Sequence, residues 1–144
     1  MSVDRHAPGY EPRFDLDSVV GRQGELFAQD IARGLADGTV EVKTDEASAY
    51  TGNVYVEYQC LRSKGWMPSG IATTEAEWWA FVLGPRKDVL FALSTDRLRK
   101  LVDHAQQNPW MRKRCVKGGN PTYGVAIPMG QFVEGAVGTK RKAA

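Results

Sequence analysis

The sequence predicts an α/β protein of the α+β kind, with a mixed sheet of about four to five strands flanked by helices. Short apolar runs with alternating polar positions recur as strand candidates. Two other segments space their apolar residues by threes and fours, the period of a helix face. Gly, Pro and Asn punctuate the chain between these elements. With 144 residues, 42% hydrophobic and 25% charged, the chain suits one globular domain with its own core rather than a disordered segment.

Residues 1–13 hold Pro8, Gly9 and Pro12 with little apolar periodicity and read as a mobile arm. Residues 14–137 form the domain. Asp17 or Ser18 is expected to cap a first helix whose stripe runs Val20, Gly24, Phe27, Ile31, Leu35 and closes at Gly38. At about 100° per residue, Glu25 falls roughly 110° from the middle of that stripe, at the flank of the buried face. Thr39–Asp45 and Asn53–Cys60 follow as paired strands across a loop ending in Thr51-Gly52-Asn53. Residues 61–70 read as a basic, irregular connection, and Thr74 as the cap of a brief helical turn through Glu77. Trp79–Leu83 is a buried strand broken by Gly84-Pro85, and Val89–Leu93 is the next. Ser94 or Thr95 caps a second helix with the stripe Leu98, Leu101, Val102, Ala105, which Asn108-Pro109 ends. Tyr123–Ile127 is a final strand after a Gly-rich loop at Lys117–Pro121, and residues 138–144 are a basic tail. The order is helix, strand, strand, strand, helix, strand, with Val89–Leu93 an added strand.

The net charge of +2 is uninformative, but its distribution is not. From Arg97 onward ten Lys and Arg face only Asp103 and Glu134, which marks the C-terminal third as a polyanion-facing surface. Cys60 and Cys115 lack a metal-ligand or CxxC spacing and suit reduced thiols. No apolar run approaches the roughly 20 residues of a membrane span, so a soluble, cytoplasmic protein without a membrane partner is expected.

Chemistry concentrates on two acidic strands. Strand side chains alternate, so Glu41 and Lys43 share one face of the first, and Tyr55, Glu57 and Gln59 one face of the second. A hairpin would bring these onto one patch, where carboxylates hold a hard divalent cation or perform acid/base work. An E-x-K on an amphipathic strand is by itself an ordinary solvated face; its meaning depends on Glu57 and Glu25.

In this order, a helix with Glu25, a strand with Glu41 and a strand with Glu57-Tyr58-Gln59 resemble the PD-(D/E)xK nuclease superfamily. Glu41-Val42-Lys43, Thr51 to Glu57 and Pro68-Ser69-Gly70-Ile71 resemble short bacteriophage-encoded nucleases, a group that includes Holliday-junction-resolvase-like proteins, over roughly residues 17 to 127. The resemblance implies a restriction-endonuclease-like core and a Mg²⁺- or Mn²⁺-dependent endonuclease that hydrolyses DNA, including branched DNA. Glu41 and Glu57 would be metal ligands, with Glu25 a third acid. The junction-resolving branch would further imply a homodimer, since two opposed strands are cut.

Gln59 stands where the family has lysine. Either Lys43 supplies the amine from the neighbouring strand, or Gln59 positions the water and the metal alone lowers its pKa. Reading Glu41-Val42-Lys43 itself as the (D/E)xK motif, after Asp37, is disfavoured because those acids are too close in sequence and Asp37 sits in a turn. The rival reading is a noncatalytic DNA-binding or accessory module of the same fold, and a plain ligand-binding α/β domain stands third.

DNA would be held through Arg62, Lys64, Trp66, Arg112, Lys113, Arg114 and Lys117. Trp66, flanked by Arg62, Lys64 and Pro68, is a base-stacking candidate, whereas Trp79 belongs to the core. His6 and His104 lack a catalytic or metal context, and Cys60 reads as a small buried hydrophobe.

Overall fold

The structure, a computed structural model, describes residues 12–116 and 119–138, with side chains described from Ser18 on. The element order is α1 (Pro12–Asp37), β1 (Val40–Asp45), α2 (Ser48–Thr51), β2 (Asn53–Arg62), β3 (Gly65–Pro68), a 3₁₀ turn (Gly70–Ala72), β4 (Trp78–Leu83), β5 (Val89–Ser94), α3 (Thr95–Gln106), β6 (Arg112–Cys115), β7 (Thr122–Pro128) and α4 (Met129–Val137). The α+β class therefore stands. Residues 1–11 of the expected arm, Lys117 and the tail beyond Gly138 lie outside the described residues. No helix among the described residues is long and apolar enough to cross a membrane.

α1 begins at Pro12, which lacks only an N–H that the first turn leaves unbonded anyway. Asp17 and Ser18 therefore sit within the helix rather than capping it. Gly38 ends it in the left-handed region, φ +74°. Of the expected stripe only Ile31 is buried; Val20, Phe27 and Leu35 remain exposed. The helix docks by its C-terminal half. Phe27 meets Trp78 edge-on at 5.3 Å, and Gly34 passes so close to β1 that a Cβ would stand 2.6 Å from Val40 Cγ2.

The strands form two sheets, not one. β1-β4-β5 pairs β1 parallel to β4 and β4 antiparallel to β5; β3-β2-β7-β6 is antiparallel throughout. The expected pairing of β1 with β2 is absent, because the segment between them coils into α2 and leaves through Gly52, φ +68°. β2 takes β7 as its neighbour, and Gly52 O accepts Met129 N at 2.8 Å, tying the start of β2 to α4.

Two further expectations are corrected. Residues 61–70 are not irregular: β2 folds back through Ser63-Lys64 onto β3, with Gly65 at φ +106°. The helical turn expected at Thr74–Glu77 does not form; its place is taken by the 3₁₀ turn just upstream, while Thr74 Oγ1 accepts Ala76 N at 3.3 Å. The second helix is as expected. Ser94 Oγ accepts Arg97 N at 3.2 Å as its cap, and Leu98, Val102 and Ala105 are buried.

One core joins the layers. Val54, Val56, Val125 and Ile127 from the four-stranded sheet meet Trp79, Phe81 and Leu93 from the other, closed by Leu98 and Val102 of α3 and Phe132 of α4.

Candidate active site and nucleic-acid face

β1 presents Glu41, Lys43 and Asp45 on one face, in register with Trp79, Phe81 and Leu83 of β4. Lys43 Nζ lies 2.6 Å from Glu41 Oε1 and 5.6 Å from the centre of the Trp79 ring. The ammonium is thus engaged along its own strand, with a carboxylate and an aromatic face. Glu41 opens into a groove of about 810 Å³ that it shares with Glu75, Glu77 and Trp78.

Asp45, at the end of the same face, is the β1 carboxylate that touches β2. Its Oδ1 accepts Ser48 N at 3.0 Å and its Oδ2 accepts Tyr55 N at 3.1 Å. Each oxygen keeps a lone pair beyond these bonds. Asp45 escaped the sequence reading because its signal, an acid three residues before a helical turn, is the ordinary signal of a cap.

Glu57 is half-buried on β2 and accepts the Ser69 hydroxyl at 2.5 Å. Ser69 is 8% exposed. Gly70 follows at φ +55° against the Glu57 carbonyl, into which a Cβ would press. The Pro68-Ser69-Gly70 motif is therefore a device that delivers one hydroxyl to one carboxylate. Two residues earlier, Tyr55 lays its ring over Gly124, where a Cβ would stand 2.6 Å from Tyr55 Cζ, and its OH meets Thr122 Oγ1 at 2.8 Å. Burial pushes the Tyr55 phenol up to about 12, against the lowering effect of the Thr122 bond, with Cys115, Glu57 and Tyr58 adding to the rise.

Gln59 does not share the face of Glu57. Glu57 pairs with Gly124 but Gln59 pairs with Tyr123, so Tyr58 is an extra residue in β2 and the alternation slips by one. Gln59 turns to the other side, where it lines a 290 Å³ cavity with Tyr58, Ile71, Arg99 and Val102. Glu25 is also apart: it is 65% exposed on α1 and paired with Arg22 at 3.3 Å. The expected patch of Glu25, Glu41, Lys43, Glu57 and Gln59 is not assembled, because β1 and β2 belong to different sheets and a bulge separates Glu57 from Gln59. Among the described residues no three His, Cys, Asp or Glu side chains lie together as a metal-holding group.

The basic residues gather on the four-stranded sheet. Arg62 and Lys64 are exposed at the β2–β3 turn, and Arg112, Lys113 and Arg114 occupy the edge strand β6. Lys113 pairs with Gly124, which pairs in turn with Glu57, so Lys113 shares the Glu57 face, and the Tyr55 ring occupies the space over Gly124 between them. Arg114 pairs with Tyr123 and lies on the opposite face, as does Arg112 opposite Val125. On that face Trp66 packs against Tyr123 at 4.4 Å and beneath the Arg114 guanidinium at 5.7 Å. Lys117 lies outside the described residues.

Comparison of the chain with protein-family models, with curated proteins and with solved structures returned no match.

Proposed function

We propose that the chain is a DNA-binding phosphodiesterase of the metal-dependent endonuclease type, the activity that the resemblance of its Glu41 and Glu57 strands to the PD-(D/E)xK superfamily implies. The observation that carries this reading is Glu57: a half-buried carboxylate oriented by a buried hydroxyl, on the same sheet face as Lys113, with Gly124 and the Tyr55 ring that covers it between them. A phosphate bound by the cation at Lys113 would lie on the same face as that carboxylate, across the Tyr55 ring. Tyr55, neutral at physiological pH, adds a fixed hydroxyl to the same face.

Asp45 replaces Glu41 as the partner acid in this reading, since it is Asp45 that reaches β2 while Glu41 holds Lys43. Asp45 meets β2 at Tyr55 N, two residues before Glu57, and carboxylates are hard oxygen donors, of which Mg²⁺ or Mn²⁺ takes one or two while keeping several waters. When bound, such a cation polarises a phosphoryl oxygen and supplies hydroxide near neutral pH. The chain's own residues do the rest: Ser69 fixes the Glu57 rotamer, Asp45 is held by two backbone N–H groups, and Lys113 positions the phosphate.

A noncatalytic DNA-binding module is the second reading. It is favoured by Lys43 being paired with Glu41 and by Gln59 facing away, which leaves no ammonium drawn to Glu57 on its own strand. Incubation with linear and branched duplex DNA in Mg²⁺ or Mn²⁺ separates the two. Cleavage by the parent that is lost in Glu57→Ala and Asp45→Asn but retained in Glu41→Gln is the expected result. Cleavage that survives Glu57→Ala sinks the site, and binding without cleavage under either metal establishes the accessory module.

A further inference from the structure

Side chains from three strands of the four-stranded sheet meet on the face opposite Glu57. Trp66 of β3 reaches across β2 to Tyr123 of β7, the rings tilted by 40°, and Arg114 of β6 lies over the indole. The cluster is not a closed core. Trp66 keeps 38% of its surface exposed and Arg114 is exposed. Arg112 lies two residues from Arg114 on the same side, Arg62 and Lys64 flank the turn into β3, and Trp110, just before β6, is 84% exposed.

Large aromatic surface left in water amid cations calls for a partner that is both anionic and flat. A duplex offers phosphates but hides its base faces within the stack. A single strand offers both at once, phosphates to Arg and Lys and bare π-faces to Trp and Tyr. Guanidinium planes also stack on bases, so Arg114 serves either group.

We propose that Trp66, Tyr123 and Arg114 form a stacking site for unpaired bases, so that the chain engages single-stranded DNA or the single-stranded part of a branched molecule. This rests on the DNA-directed reading above and names its substrate class. The stacking site and Glu57 occupy opposite faces, and β6 is the edge around which a strand passes from one to the other, with Lys113 on the second face.

The test uses the full chain in EDTA, where metal-dependent cleavage is silent, and follows the anisotropy of labelled oligomers. The probes are an oligothymidine of about 15 nucleotides, an abasic oligomer with the same phosphates, and a blunt duplex, with polyglutamate as competitor. The oligothymidine should bind about 5- to 100-fold more tightly than the abasic oligomer and should quench tryptophan fluorescence. Trp66→Leu should remove that preference, Trp66→Tyr should restore most of it, and Arg114→Gln should weaken binding to the oligothymidine more than to the duplex. Equal binding of the abasic oligomer or the duplex, competition by polyglutamate as effective as by the oligothymidine, or a Trp66→Leu variant indistinguishable from the parent would overturn the proposal. Should Trp66→Leu fail to fold, Trp66→Tyr and Arg114→Gln carry the comparison. Loss of base preference with cleavage intact refutes this site alone, and base preference without cleavage refutes the nuclease alone.

Discussion

Ser69 and Gly70 act on Glu57 together, the first through its hydroxyl and the second through the side chain it lacks. Ser69→Ala strands one oxygen of a half-buried carboxylate, and thermal or denaturant unfolding should show a loss of about 1–2 kcal/mol. Gly70→Ala combines a left-handed φ with contact against the Glu57 carbonyl, and should cost about 1–3 kcal/mol by the same measurement. Tyr55 sets a pH dependence. The unfolded chain releases the phenolic proton near 10 while the fold retains it to about 12, so the native state binds more protons in that window. Stability from this group is fully present below pH 10 and falls as pH rises to 12, by about 1 kcal/mol once its partial exposure is allowed for. Chemical denaturation at pH 9 to 12 should show a shallower loss of stability in Tyr55→Phe than in the parent.

Elements whose signals are local were legible in the sequence, and those that depend on pairing were not. Ser94 caps α3 as its position before an apolar stripe predicts, and β1, β2, β4, β5 and β7 lie where alternation and apolar runs place them. β3 was hidden because Gly65 and Pro68, read as loop punctuation, bound a strand of four residues. α4 was hidden because Gly130 and Gly135 dilute its pattern; Gly135 is where Leu101 packs. The choice of β4 rather than β2 as partner of β1 is long-range information that periodicity does not carry, and with it went the convergence of Glu41 and Glu57. The bulge at Tyr58 is equally silent, yet it decides that Gln59 is no substitute for a lysine beside Glu57. α1 shows the limit of a helical stripe as a burial signal, since every described residue from Ser18 to Asp30 is exposed. Replacing the exposed Val19 and Val20 by Ser should therefore shift Tm by no more than about 2 °C, within the range of surface changes.

At the scale of the whole molecule, charge sign separates the surfaces: an acidic groove at Glu41, Glu75 and Glu77 beside β1, and a cationic edge at β6. DNA binding should draw on the second and not the first. Replacing Arg112, Lys113 and Arg114 by Gln should lower the slope of log K against log salt by about 2 to 3. Glu75→Gln and Glu77→Gln should leave it unchanged, and titrations across a range of NaCl distinguish the two. β6 has a second role that follows from its place in the sheet. Among the described residues it pairs only with β7, so its outer side presents a row of backbone donors and acceptors to a passing strand. Three consecutive cations repel another copy's identical edge, which keeps the sheet from growing between molecules. The charge-stripped variant should thus aggregate more readily than the parent in the absence of DNA, as light scattering would show, and nucleic acid that neutralises the same cations would have to cover the edge it exposes.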